Sequence, residues 1–176
     1  DVYKRQYDSN LCVKHIDTFE FENPEMLRGS KYTQSDIGDT YSAVKQNLKK
    51  GEKVLFSGTP CQVDGLKRYL GKLGDENLFL VALVCHGVSS PEAFAKYLQE
   101  VGRDNNSEVI GIRFRDKKIE KGHLSHRFTT LPLKNGQEIS STDNIYTTAF
   151  GIGVMDRESC YHCPYCLLYT SPSPRD

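Results

Sequence analysis

Apolar and polar residues change their period several times along this chain, and each change marks an element. Ile37, Tyr41, Val44 and Leu48 recur at helical spacing, which predicts an amphipathic helix with Ser35 or Asp36 as its cap and Gly51 as its stop. Residues 53–57 (KVLFS) then read as a buried strand, followed by the tight turn Gly58-Thr59-Pro60-Cys61. Val63, Leu66 and Leu70 form the stripe of a second helix, ended by Gly71. Residues 77–84 (NLFLVALV) read as a second buried strand, which gives way to Cys85-His86-Gly87. Ser90 and Pro91 supply the cap and first position of a third helix with the stripe Phe94, Tyr97, Leu98 and Val101. Ile110, Ile112 and Phe114 alternate as a third strand.

The order β-α-β-α-β at helix-crossover spacing predicts an α/β fold on a mostly parallel sheet with crossover helices. After it, residues 127–133 and 137–140 flank Asn135-Gly136, a strong signal for an antiparallel hairpin. A short helical stretch over 144–150 leads to a Cys-rich segment. Upstream, residues 11–18 read as a short strand, 23–25 as a brief helical turn and 28–32 as a polar loop.

With 176 residues, 38% of them hydrophobic, the chain can bury one sizeable core or two small ones and is no disulfide-stapled mini-domain. Its 23 Lys+Arg balance 23 Asp+Glu, so no net field draws it to nucleic acid or to a membrane surface. The longest apolar run, 78–85, falls far short of the roughly 20 residues that span a bilayer. A Ser-His-Asp pattern, a GxGxxG after a strand and a Walker loop are all missing, which leaves hydrolase and nucleotide-kinase chemistry without support. The two ends read differently from the rest. Residues 1–6 (DVYKRQ) and 166–176 (CLLYTSPSPRD) back-translate into the transposase adapter used to prepare sequencing libraries, so both are expected to be adapter artefact and are set aside. Between them, 7–50 is expected to end one domain and 51–165 to be most of a second.

Five of the six cysteines lie outside that tail. Cys61 and Cys85 each follow the carboxyl end of a predicted strand, so parallel, adjacent strands would set both thiols on one rim of the sheet, where open α/β folds place ligands. With Thr59 as cap and Pro60 at the first helical position, Cys61 falls in a first helical turn, where backbone N–H groups favour a thiolate. Cys160-x-x-Cys163 brings two more sulfurs. Four thiolates suit a tetrahedral zinc ion or one [4Fe–4S] cluster, and the residues alone do not separate these. The intervals from 61 to 85 and from 85 to 160 match no zinc ribbon. Small buried thiols and a redox-active Cys160/Cys163 pair are the other readings. Cys12 is expected to be a packed thiol.

Gly58-Thr59-Pro60-Cys61-Gln62, Val84-Cys85-His86-Gly87, Val88-Ser89-Ser90-Pro91, Leu27 to Tyr32, Phe114-Arg115-Asp116-Lys117 and Arg157 to Cys163 occur in an order that closely resembles the coenzyme F420 hydrogenase/dehydrogenase beta-subunit family. The resemblance implies a cytoplasmic oxidoreductase that binds FAD and [4Fe–4S] clusters. Such an enzyme passes electrons between cluster, flavin and a small-molecule hydride donor or acceptor, F420 or an equivalent, with a ferredoxin or ferredoxin-like module as partner. It places Cys61, Cys85, Cys160 and Cys163 on one cluster. Arg28, Gly29, Ser30, Lys31, Tyr32, Thr59, Pro60, His86 and Gly87 become candidates for lining the flavin, with Lys31 opposite negative charge on its reduced form. One departure stands out: relatives carry an aromatic residue after a glycine beyond the Arg-Asp-Lys motif, whereas here Gly122 is followed by His123 and then His126. A non-catalytic zinc-stabilised interaction domain and a thiol–disulfide enzyme using Cys160 and Cys163 are the rival functions.

Overall fold

The computed structural model describes residues 2–17, 28–73 and 76–165, and the expected turn at 23–25 lies outside them. In chain order the elements are β1 (Val2–Tyr7), β2 (Val13–Asp17), α1 (Thr40–Lys49), β3 (Val54–Gly58), α2 (Pro60–Leu70), β4 (Leu78–Ala82) and α3 (Pro91–Asp104). After them come β5 (Arg113–Glu120), β6 (His123–Pro132), β7 (Glu138–Ser141), α4 (Ile145–Gly151) and a short 3₁₀ turn, Glu158–Cys160. They build a four-stranded sheet, β2-β1-β3-β4, and a three-stranded antiparallel sheet, β5-β6-β7. In the first, β3 runs parallel to both β1 and β4, and β1 pairs antiparallel with β2. The expected α/β class holds. β1 is drawn mostly from the set-aside residues 1–6, because strand pairing asks only for backbone N–H and C=O groups in register.

Two cores result. Val44 and Leu48 from α1, Val54 and Phe56 from β3, and Leu66 and Leu70 from α2 fill the first. The second gathers Phe94, Val109, Ile112, Phe114, Leu131, Leu133 and Tyr146 from α3, the second sheet and α4. That packing explains a departure from the expected single β-α-β-α-β unit. Ile112 and Phe114 bury themselves against β6 and α4, so the third strand joins the antiparallel sheet and not the parallel one. α3 follows its apolar face into that second core. β4 is therefore an edge strand whose Phe79 and Val81 stay exposed, in place of the buried strand expected. α1 also begins later than expected, at the Asp39 N-cap. Asp36 bridges to Lys14 of β2 instead, and the Ser35 side chain turns inward to His15.

Local signals explain the other boundaries. Thr59 and Gln62 form a reciprocal capping box at the start of α2, with Pro60 at its first position. The Ser90 side chain accepts from Ala93 N at the start of α3, and the Asn144 side chain accepts from Tyr146 N and Thr147 N at that of α4. Asn135-Gly136 makes the β6–β7 turn, with Gly136 at φ +86°.

Residues 30–36 stitch the two halves together. Ser30 bridges to Phe114, Gln34 N donates to Ser89 O and Asp36 bridges to Lys14. Ser89 is fully buried, and its Oγ donates to the Tyr32 carbonyl, which also accepts from Tyr146 OH at 2.7 Å.

Candidate functional site

The register of β3 on β4 fixes the centre of the site. Gly58 pairs with Ala82, so the chain segments carrying Cys61 and Cys85 leave adjacent parallel strands at the same rim. A buried polar chain holds the first of them. His15 Nε2 lies 3.2 Å from the Ser57 carbonyl, which can only accept, so that nitrogen carries the proton. His15 Nδ1 then accepts from Ser35 Oγ, whose oxygen takes the Gln62 amide at 2.9 Å, and Gln62 Oε1 accepts from Thr59 N. Cys61 Sγ lies 3.2 Å from Thr59 Oγ1, in the first turn of α2.

A second junction brings the Cys-rich segment to the same rim. Ser89 pairs with Asp156 as an isolated bridge, and Arg157 N donates to Val88 O. This close approach needs a glycine. Gly87 sits at φ +146°, and a Cβ there would lie 2.0 Å from Asp156 Oδ2. Asp156 Oδ1 is buried without a hydrogen bond among the described residues, and burial lifts this carboxyl above its ordinary value against the pull of His86. Burial also pushes the Cys160 thiol up, helped by Asp156 and Cys61 and opposed by the Val88 backbone and Arg157.

Cys61, Cys85, Cys160 and Cys163 all line one cavity of about 400 Å³. Among the described residues none of the four forms a disulfide. Among the described residues no three Cys, His, Asp or Glu side chains are grouped closely enough to hold a single metal ion. Four sulfurs spaced around such a volume fit a polynuclear cluster in number and chemistry.

A larger cavity, about 510 Å³, lies directly beside it. Arg28, Gly29, Ser30, Lys31, Tyr32, Thr59, His86 and Gly87 all line this one, whereas Pro60 faces the cysteine cavity. The two spaces share a wall made of Thr59, Cys85, Gly87 and Val88. Lys31 is only 7% exposed, and its Nζ donates to the carbonyls of Arg28 and Gly29, bracing the loop that carries it. The Phe150 ring sits 4.7 Å from both the Tyr32 and the His86 ring, giving the larger cavity an aromatic floor. The cationic residues Arg28, Lys31 and Arg115 line it, and among the described residues no carboxylate does. A chamber with small residues, backbone amides, an aromatic floor and fixed positive charge suits a planar ring system carrying phosphate.

Several expectations change here. Cys12 is exposed, not packed, because it sits at the tight turn before β2, where Asp8 holds the backbone of Asn10 and Cys12; it lines a different cavity from the other four. His123 and His126 are exposed residues of β6, away from both chambers. Phe150, Arg115 and Arg157 line the site without having been singled out from sequence for that role. Phe150 reads as an ordinary residue of a short helix, and only the approach of α4 to Tyr32 gives it a place there.

Among the described residues, no helix is long and apolar enough to cross a membrane. No curated protein sequence matches the chain. Among solved structures, a chain of the F420-reducing [NiFe] hydrogenase complex from Methanosarcina barkeri, studied as a xenon derivative, shares its fold with a TM-score of 0.53 at 18% identity. The match covers 92% of this chain and 52% of that one, so the present chain spans about half the length of its structural neighbour. The family model for the C terminus of the coenzyme F420 hydrogenase/dehydrogenase beta subunit matches residues 51–170, which include every cysteine of the smaller chamber. On that match, over most of its length, this chain belongs to the coenzyme F420 hydrogenase/dehydrogenase beta-subunit family.

Proposed function

We propose that the chain is part of a flavin- and iron–sulfur-dependent oxidoreductase. In this reading Cys61, Cys85, Cys160 and Cys163 hold a [4Fe–4S] cluster and the larger chamber holds FAD. The observation that carries it is the shared lining: a four-thiol chamber and a cationic, aromatic-floored chamber have Thr59, Cys85, Gly87 and Val88 in common. When bound, such a cluster passes single electrons and the flavin stores two, exchanging hydride with a small molecule, F420 or an equivalent.

The chain's own residues position and tune. The capping box and the His15–Ser35–Gln62 chain fix Cys61, and the Asp156–Gly87 contact fixes Cys85 relative to Cys160. Gly29, at positive φ with open space where a Cβ would stand, lets backbone approach a ligand, whereas Gly87 makes room for Asp156. Lys31 and Arg28 set positive charge at the wall, which favours an anionic ligand in a partly dry chamber. A ferredoxin or ferredoxin-like module as electron partner, and a cytoplasmic location where thiols stay reduced, belong to the same proposal.

Metal and chromophore analysis of the anaerobically purified, intact polypeptide tests it. The expected result is about four iron atoms per chain with a flavin spectrum, and loss of the iron on Cys61→Ser or Cys85→Ser. One zinc per chain with no chromophore would overturn this reading in favour of a zinc-stabilised interaction domain. Activity that survives both substitutions but not Cys160→Ser would point to thiol–disulfide chemistry.

A further inference from the structure

We propose that Arg115 is a dedicated phosphate anchor of the larger chamber. The inference rests on reading that chamber as a ligand site. β5 and β6 pair Arg113 with Thr130 and Asp116 with Phe128, so β5 carries one residue more than β6 in this interval. Such a bulge turns a side chain out of the ladder and re-aims it. The residue it releases is Arg115, held at φ +54°, a conformation that glycine or asparagine adopts with less strain.

The charges around it sharpen the point. Arg113 is satisfied by Asp116 and by Glu138 at 2.7 Å. Arg115, among the described residues, makes no hydrogen bond or ion pair, although its neighbour in sequence is that same Asp116. Arg115 lines the chamber with Arg28 and Lys31, and among the described residues the lining contains no Asp or Glu. A strained backbone that holds an unpaired guanidinium over a cationic cavity is explained by a ligand that arrives with its own negative charge. The planar fork of a guanidinium matches two phosphate oxygens, which a lysine ammonium does not. The phosphate belongs either to the dinucleotide part of a flavin or to a second ligand beside it.

The test uses the intact polypeptide with flavin removed, in wild-type, Arg115→Asn and Arg115→Lys forms. Binding of FAD, riboflavin and inorganic pyrophosphate is followed by titration. Arg115→Asn should weaken FAD binding by about 10- to 100-fold and leave riboflavin unchanged, with partial recovery in Arg115→Lys. Asparagine tolerates the left-handed backbone, so this variant should melt no lower than wild type, which separates lost anchoring from lost folding. Unchanged FAD affinity with weakened pyrophosphate binding to the flavin-loaded protein would assign the anchor to the second ligand. Pyrophosphate binding that depends on Arg115 in a protein that takes up no flavin would keep the anchor and overturn the flavin reading. If flavin binds and neither FAD nor pyrophosphate affinity responds to Arg115, the anchor is wrong and the flavin reading stands.

Discussion

Replacing Gly87 by alanine tests the joint that holds both chambers together. Two separate penalties meet at this position. The backbone, at φ +146°, lies where an L side chain is strained, at about 1–3 kcal/mol. The new methyl would also start 2.0 Å from Asp156 Oδ2, so the 156 segment must move, at an overpacking penalty of about 1–3 kcal/mol. Together these predict a loss of roughly 2–6 kcal/mol, a large part of the stability of an ordinary domain. Urea denaturation of Gly87→Ala, Asp156→Ala and the double variant separates the two. Truncating Asp156 removes the clash but leaves the backbone strain, so the double variant should recover about 1–3 kcal/mol and stop short of wild type. Full recovery would refute the strain argument. No recovery would refute the contact argument, and a Gly87→Ala protein as stable as wild type would refute both.

Other expectations are open to the same kind of measurement. Ser89→Ala and Tyr146→Phe should each lower stability by about 1 kcal/mol, and the double variant should depart from their sum, because the two hydroxyls are hydrogen-bonded to each other and share the Tyr32 carbonyl as acceptor. Burial raises the Tyr146 hydroxyl to about 12, so the folded chain keeps a proton that the unfolded chain releases near its ordinary value of 10. Its stabilising effect is complete below pH 10 and is lost as pH rises toward 12; denaturation at stepped alkaline pH should show this fall, and Tyr146→Phe should flatten it. Gln62→Ala breaks the capping box of α2 and the link to Ser35, for a loss of about 1–2 kcal/mol by thermal or urea unfolding.

How much of this was legible in the sequence depended on the range of the forces involved. Helix starts that rest on a side chain reaching its own backbone were readable: Thr59-Pro60 and Ser90-Pro91 act within three residues. The strand-end positions of Cys61 and Cys85 were readable too, since parallel pairing with helix crossovers is set by element order. What failed was long-range. The run at 77–84 is apolar enough for a buried strand, but whether its second face is covered depends on where α3 goes, and α3 packs on the other core. Ile37 belongs to the apolar stripe and packs on the first core, yet it precedes α1, because its neighbour Asp36 is tied to β2 by backbone bonds. The aim of Arg115 depends on a register slip against β6 that no local pattern announces.

The partition formed by Thr59, Cys85, Gly87 and Val88 has a practical corollary. Residues that line both compartments cannot be displaced toward one without enlarging the other. With the flavin and cluster proposed above in place, occupancy on either side should therefore be felt across it, as a changed absorbance or magnetic spectrum of the neighbour. A small molecule wedged into either compartment would act on both at once, and phenotypes at these four positions will resist assignment to a single compartment.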